Sequence, residues 1–140
     1  MIGTGASGVQ IIPQLARKAA KLTVLQRSAP WILPRGDHAI SPGMKNLYRK
    51  WPLLQWLHRN LIYLMTEIYG PFVYTTFRPL KMLLEGFALG QMKRVVKDPQ
   101  LREKLTPNYT IGCKRVLIAD DYYPALTEPH VSVETTGCES

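Results

Sequence analysis

The sequence predicts an α/β fold, and three observations near its start carry that expectation. Gly3, Gly5 and Gly8 set out a GxGxxG turn. Ile11, Ile12, Leu15, Ala16 and Ala19 follow at helical spacing and give one apolar stripe. Leu22-Thr23-Val24-Leu25 is then a short β-prone run suited to a buried parallel strand. Pro13 falls inside the helical pattern, so a kink or the local loss of one hydrogen bond is expected there.

Turn, helix and strand in this order are the context in which a glycine turn binds a dinucleotide. A pyrophosphate is held by backbone N–H groups at a helix N-terminus, where the helix dipole also favours negative charge. Gly3 permits the tight turn, Gly5 lets the phosphates approach, and Gly8 lets the helix pack closely. Thr4, Ala6 and Ser7 complete the turn as cofactor-binding candidates. NAD-binding proteins usually place Asp or Glu at the end of the second strand to bind the ribose 2′-hydroxyl. Here the residues are Gln26-Arg27-Ser28. No carboxylate repels a 2′-phosphate, and Arg27 can pair with one, so NADP is favoured over NAD; a merely solvated strand-end arginine is the bland alternative. The expected fold class is a Rossmann-like dinucleotide-binding unit with a truncated first strand and a helical insertion. The truncation follows from Met1 and Ile2 alone preceding Gly3, where a strand needs about five residues. Three origins are open: a cropped sequence, a misplaced start, or a truncated product.

Composition divides the chain into residues 1–35, the first part of the NADP-binding domain; 36–105, a Leu-, aromatic- and Lys/Arg-rich helical insertion; and 106–140, a return to the sheet and linker. Pro30 and Pro34 should stop regular structure, and Ser41-Pro42-Gly43 should turn. Helices are expected over about 44–69, broken near Pro52, and about 80–97, with Leu84, Phe87, Ala88 and Val95 on one face. A short helix should follow Asp98-Pro99, with Asp as cap and Pro as first helical residue, and end at Thr106-Pro107. Val116–Ala119 and Val131–Glu134 read as strands separated by a turn at 120–124.

The 140 residues suffice for one cored domain, and 46% apolar with 20% charged residues argues against disorder. A formal charge of +8 favours anionic partners without choosing among them. The basic residues follow no nucleic-acid-binding pattern, so no nucleic-acid partner is expected. Two cysteines, Cys113 and Cys138, and three scattered histidines suggest neither a disulfide scaffold nor zinc, and no metal is expected. Cys113 reads as a small buried residue; Trp31, Trp51, Trp56 and Tyr122-Tyr123 read as packing anchors, and Asp120-Asp121 as a turn. The N-terminus does not read as a signal peptide, and the expected location is cytoplasmic. The apolar stretch 60–77, interrupted by Glu67 and Gly70-Pro71, reads as a buried or surface-resting helix pair, with peripheral membrane contact as an added option.

Two segments carry a family resemblance. The run IGTGASGVQIIPQLARKAAKLTVLQRSAPWILPR, from Ile2 to Arg35, resembles the second Rossmann motif of Baeyer–Villiger monooxygenases, which are FAD- and NADPH-dependent flavoproteins. YTIGCKRVLIADDYYPAL, from Tyr109 to Leu126, resembles a later segment of the same family. Together they cover about a third of the chain, in the right order, and the middle is compatible with the family's helical insertion. The resemblance implies that Lys114 reaches the 2′-phosphate from the side opposite Arg27. It also implies that Arg115 is the catalytic arginine over the flavin, where a permanent positive charge stabilises negative charge. The implied reaction takes a small carbonyl substrate and O2 to an ester or lactone, with NADP(H) and FAD as cofactors. The family's first glycine turn, for FAD, and its fingerprint segment are not among these residues, so most of the flavin site and, with it, independent activity are not expected of this chain alone. An N- or S-oxidising flavin monooxygenase and a non-catalytic NADP(H)-binding module are the competing readings.

Overall fold

The computed structural model describes residues 1–74 and 78–135, with the side chains of all of these except residues 68–74. The elements run α1 (Ala6–Ala16), β1 (Leu22–Leu25), β2 (Ile32–Leu33), α2 (Pro42–Lys50), α3 (Pro52–Tyr74), α4 (Arg78–Val95), α5 (Pro99–Leu105), β3 (Leu117–Ile118), α6 (Tyr122–Leu126) and β4 (Val131–Glu134).

The strands pair in parallel, as their apolar runs require. β1 lies beside β4 with Leu22 opposite Val131 and Leu25 opposite Glu134. On the other edge of β1, Ile2 forms a parallel bridge to Leu25. The Met1 carbonyl accepts from the Leu25 amide at 2.9 Å, and the Gly3 amide donates to the Leu25 carbonyl at 2.9 Å. The two residues before the glycine turn thus lie in the place of a strand flanking β1. β2 and β3 form a second parallel pair, Ile32 opposite Leu117. The main core joins these layers: Val9, Ile12 and Ala16 of α1, Leu22 and Val24 of β1, Met92 of α4, Leu105 of α5, Tyr122 and Leu126 of α6, and Val133 of β4. A smaller cluster gathers Trp31, Leu33, Ala88 and Ile111.

Several sequence expectations are met in detail. β1 and β4 have the expected bounds. α5 begins at Pro99 behind an Asp98 cap whose side chain accepts from the Gln100 amide at 3.0 Å, satisfying one orphan donor of the first turn. The α2–α3 break falls at Trp51, before Pro52. Arg102 then locks the α4–α5 joint by donating to the Val96 carbonyl at 2.6 Å and the Lys93 carbonyl at 3.3 Å.

Other expectations are corrected. α1 spans Pro13, which has no N–H to donate and so leaves out one helical hydrogen bond, as expected; its buried face is Gly8, Val9, Ile12, Pro13 and Ala16, whereas Ile11 and Leu15 are exposed. Ile12 and Ala16 of the expected stripe are buried, but Val9 and Pro13 hold the inward positions expected for Ile11 and Leu15. Between Pro30 and Pro34, Trp31-Ile32-Leu33 is buried and Ile32–Leu33 forms β2, since its partner strand β3 comes from far away in sequence. Ser41-Pro42-Gly43 begins a helix: the Ser41 hydroxyl accepts from the Met44 amide at 3.3 Å, and Pro42 opens α2. The backbone of α3 continues through Gly70-Pro71 to Tyr74, whereas Phe77 lies outside the described residues. In α4 the inward side chains are Ala88 and Met92, followed by Val96, while Phe87 and Val95 are exposed. The segment 120–124 does not merely turn: α6 starts at Tyr122 and buries Tyr122, Ala125 and Leu126.

Trp31 and Tyr122 are buried anchors, but Trp51 and Trp56 are 56% and 58% exposed, because α2 and most of α3 stand clear of the core. Burial pushes the Tyr123 hydroxyl up to about 12 and raises that of Tyr122 further, so both are neutral phenols under ordinary conditions. Asp120 receives the Arg35, Gly36 and Asp37 amides at 2.7, 3.3 and 3.2 Å. Slight desolvation opposes ionisation there, but these three donors hold the carboxyl below its ordinary range. Cys113 is exposed rather than buried, because the 110–113 turn lifts it out; Cys138 lies outside the described residues.

Candidate functional site

A cleft of about 570 Å³ opens where the glycine turn, the end of β1 and the 109–117 segment meet. That volume falls within the usual range for small-molecule sites, about 300–1,000 Å³. Its walls include Gly3, Thr4, Gly5 and Ala6 from the turn, Gln26, Arg27 and Ser28 from the end of β1, and Tyr109, Lys114 and Arg115 from the third segment. Of the residues singled out from sequence, only Ser7 and Gly8 stand behind this lining, in the first turn of α1.

The turn is built by two glycines for different reasons. Gly3 has φ +88°, a left-handed conformation that a side chain disfavours. A Cβ on Gly8 would sit 2.6 Å from the Gly3 carbonyl oxygen, so the helix can press against the turn only if residue 8 has no side chain. Gly5 is the N-cap of α1, and a Cβ there would meet no atom within 4 Å. Its bareness therefore serves no packing need of the chain, and it leaves the helix N-terminus open. Gly5 offers no side-chain cap and the first turn carries no acid, so the leading amides of α1 keep their affinity for an anion.

Cationic groups face this end from two elements. Arg27, Lys114 and Arg115 are exposed, and none forms an ion pair among the described residues. Lys114 is steered: its Nζ donates to Ser28 Oγ at 2.9 Å and lies 4.5 Å from the centroid of the Tyr109 ring. Such a cation–π contact contributes about 0.5–1 kcal/mol at an exposed site. Partial burial raises the Tyr109 hydroxyl above the ordinary phenol range. Thr4 is buried, with its hydroxyl 3.5 Å from the Ser28 carbonyl, a long contact between turn and strand end.

Gln26 behaves differently from its neighbours. It is 2% exposed, and its Nε2 donates to the Lys104 carbonyl at 2.8 Å, tying the end of β1 to α5. Its Oε1 has no hydrogen-bond partner among the described residues. Lys104 completes this tie by donating to the Val133 carbonyl at 2.7 Å, 3.8 Å from Glu134. A second, more polar cleft of about 630 Å³ lies on this side, so Arg27 borders both.

Sequence reasoning missed two supports. Tyr109 was not assigned a role, although an aromatic ring five residues before a lysine is a weak cue. Glu85 had no local cue: from α4 it accepts the buried Ile111 amide at 2.8 Å and so holds the segment that presents Lys114 and Arg115. Gly112, with φ +91°, then turns the chain toward these cations. Replacing Glu85 with Ala should cost about 1.5–3 kcal/mol, the range for a hydrogen bond to a charged group. Glu85→Gln should recover most of that loss, as read by the midpoint of chemical unfolding.

The chain is similar to known proteins in sequence and fold. The chain is 44% identical over 138 residues to a Baeyer–Villiger monooxygenase of Pseudomonas aeruginosa, a match covering 98% of this chain and 26% of that protein. A Baeyer–Villiger monooxygenase of Streptomyces coelicolor is 42% identical over 137 residues, again with 98% and 26% covered. The chain is a relative of the Baeyer–Villiger monooxygenases. It spans about a quarter of the length of these two. Among solved structures, OTEMO in complex with FAD and NADP superposes with a TM-score of 0.67 at 28% identity, covering 95% of this chain and 31% of that one. An oxidized steroid monooxygenase bound to NADP gives 0.71 at 22% identity, covering 94% and 32%, which shows a shared fold. No protein-family model matches the chain. As in these Baeyer–Villiger relatives, the fold is α/β.

Proposed function

We propose that this chain provides the NADP(H)-binding part of an FAD- and NADPH-dependent monooxygenase that inserts an oxygen atom from O2 into a small carbonyl substrate, giving an ester or lactone. The observation that carries the reading is the 570 Å³ cleft, whose lining brings the open N-terminus of α1 together with Arg27, Lys114 and Arg115. The names of the relatives and the cofactors in the OTEMO complex support it further.

In this reading the fold is a Rossmann-like unit in which Met1 and Ile2 lie at the position of the strand that flanks β1. Residues 1–35 are the first part of the NADP-binding domain, 36–105 a helical insertion whose last part closes the core, and 106–140 the return to the sheet and linker. The amides at the start of α1, with Gly3, Thr4, Gly5, Ala6, Ser7 and Gly8 shaping the turn, hold the pyrophosphate of NADP(H). Arg27 and Lys114 take the 2′-phosphate between them, and Ser28 orients Lys114. Gln26 fixes the strand end through α5 and brings no carboxylate toward the phosphate. Arg115, one residue beyond Lys114, is the catalytic arginine; its charge persists even when partly desolvated, so it can stabilise negative charge near the cofactors. FAD, when bound, supplies the electron transfer from NADPH to O2.

Amide NMR spectra of the chain with added NADP+ test the reading. Shifts should concentrate on residues 3–8, 27–28 and 109–115; shifts confined to α2–α4, or none, would reject this cleft as the nucleotide site.

A further inference from the structure

We infer that α2 and α3 form an amphipathic, basic arm that docks on an anionic lipid surface. No helix among the described residues is long and apolar enough to cross a membrane, so the contact is interfacial.

The arm presents two apolar faces that no described residue of the chain covers. In α3, Leu53, Leu54, Leu57, Leu61, Leu64 and Met65 fall on one stripe at three- and four-residue spacing, and all six are exposed. Gln55, Arg59 and Thr66 lie on the opposite side. In α2, Met44 and Leu47 share a face and are exposed, while Lys45 and Arg49 point elsewhere. A face of this size on a soluble surface marks a site of contact. The two helices are held together at the Trp51 joint, where a hydrogen bond links the Tyr48 hydroxyl to His58 Nδ1.

Charge selects the occupant. Helices α2 and α3 carry four basic residues, Lys45, Arg49, Lys50 and Arg59, against a single acid, Glu67. A surface that accommodates the arm must therefore supply both hydrocarbon and negative charge. An anionic bilayer does so: leucines enter the acyl boundary, lysines and arginines reach the headgroup phosphates, and exposed Trp51, Trp56 and Tyr63 suit the interfacial zone between. Each basic residue near such a surface strengthens binding roughly fivefold.

Sedimentation of the full 140-residue chain with lipid vesicles tests this. It should pellet with vesicles of equal parts phosphatidylcholine and phosphatidylglycerol, much less with phosphatidylcholine alone, and less as salt rises. Lys45→Gln with Arg49→Gln should weaken binding to anionic vesicles about thirtyfold. Leu57→Glu with Leu61→Glu, both at exposed positions, should abolish it while leaving the circular dichroism spectrum intact. Equal pelleting with neutral and anionic vesicles, or none with either, overturns the proposal. So does a concentration-dependent dimer, in the absence of pelleting, that the leucine variants convert to monomer; that result would assign the face to a second copy of the chain.

Discussion

Arg27→Ala should weaken NADPH binding about ten- to a hundredfold, with little change for NADH. The guanidinium at the end of β1 has no ion-pair partner among the described residues, so its loss removes one charge-assisted contact with the nucleotide, about 1.5–3 kcal/mol. Lys114→Ala should have a similar effect with a further signature. Lys114 Nζ is already held by Ser28 Oγ and the Tyr109 ring, so Ser28→Ala should reproduce part of the Lys114 loss by loosening the ammonium. If both cations grip one phosphate, the double variant Arg27→Ala/Lys114→Ala should depart from the sum of the single changes, as groups sharing a partner do. Strict additivity in a calorimetric double-mutant cycle would place them on different ligand groups.

Gly8→Ala and Gly5→Ala should separate folding from binding. A methyl at residue 8 would lie 2.6 Å from the Gly3 carbonyl oxygen, a backbone atom that cannot swing aside. Overpacking of this kind costs about 1–3 kcal/mol, and the turn must deform to relieve it. Gly8→Ala should therefore lower the thermal midpoint by several degrees and weaken nucleotide binding as well. At residue 5 a methyl meets nothing within 4 Å. Gly5→Ala should leave the midpoint nearly unchanged but lose nucleotide affinity, because the methyl fills space that the pyrophosphate needs. Equal thermal losses in the two variants would remove the distinction.

The parts of the fold legible in the sequence were those governed by neighbours in the chain. The glycine turn, the four-residue run of β1, and the Asp98-Pro99 start of α5 each depend on local conformational chemistry. β2 was hidden because two prolines flank it and its partner, β3, lies far along the chain. Of the α4 face expected from spacing, Leu84 and Ala88 pack against the cluster of Trp31 and Ile111, whereas Phe87 and Val95 are exposed and Met92 takes the next inward position. Trp51 and Trp56 were read as anchors by residue type, whereas the arm they belong to has no core to enter. For the cleft, the turn and Arg27 could be read from local pattern, and Lys114 and Arg115 came only through family resemblance. Glu85 could be found only from its contact with Ile111, 26 residues away, since a carboxylate on a basic helix carries no sequence mark of its partner.

The most direct test of the central claim is calorimetric titration of the chain with NADPH and with NADH under identical salt. The account predicts that NADPH binds at least tenfold more tightly, because only it carries the 2′-phosphate that Arg27 and Lys114 are placed to meet. Equal affinity for the two cofactors, or preference for NADH, would contradict it.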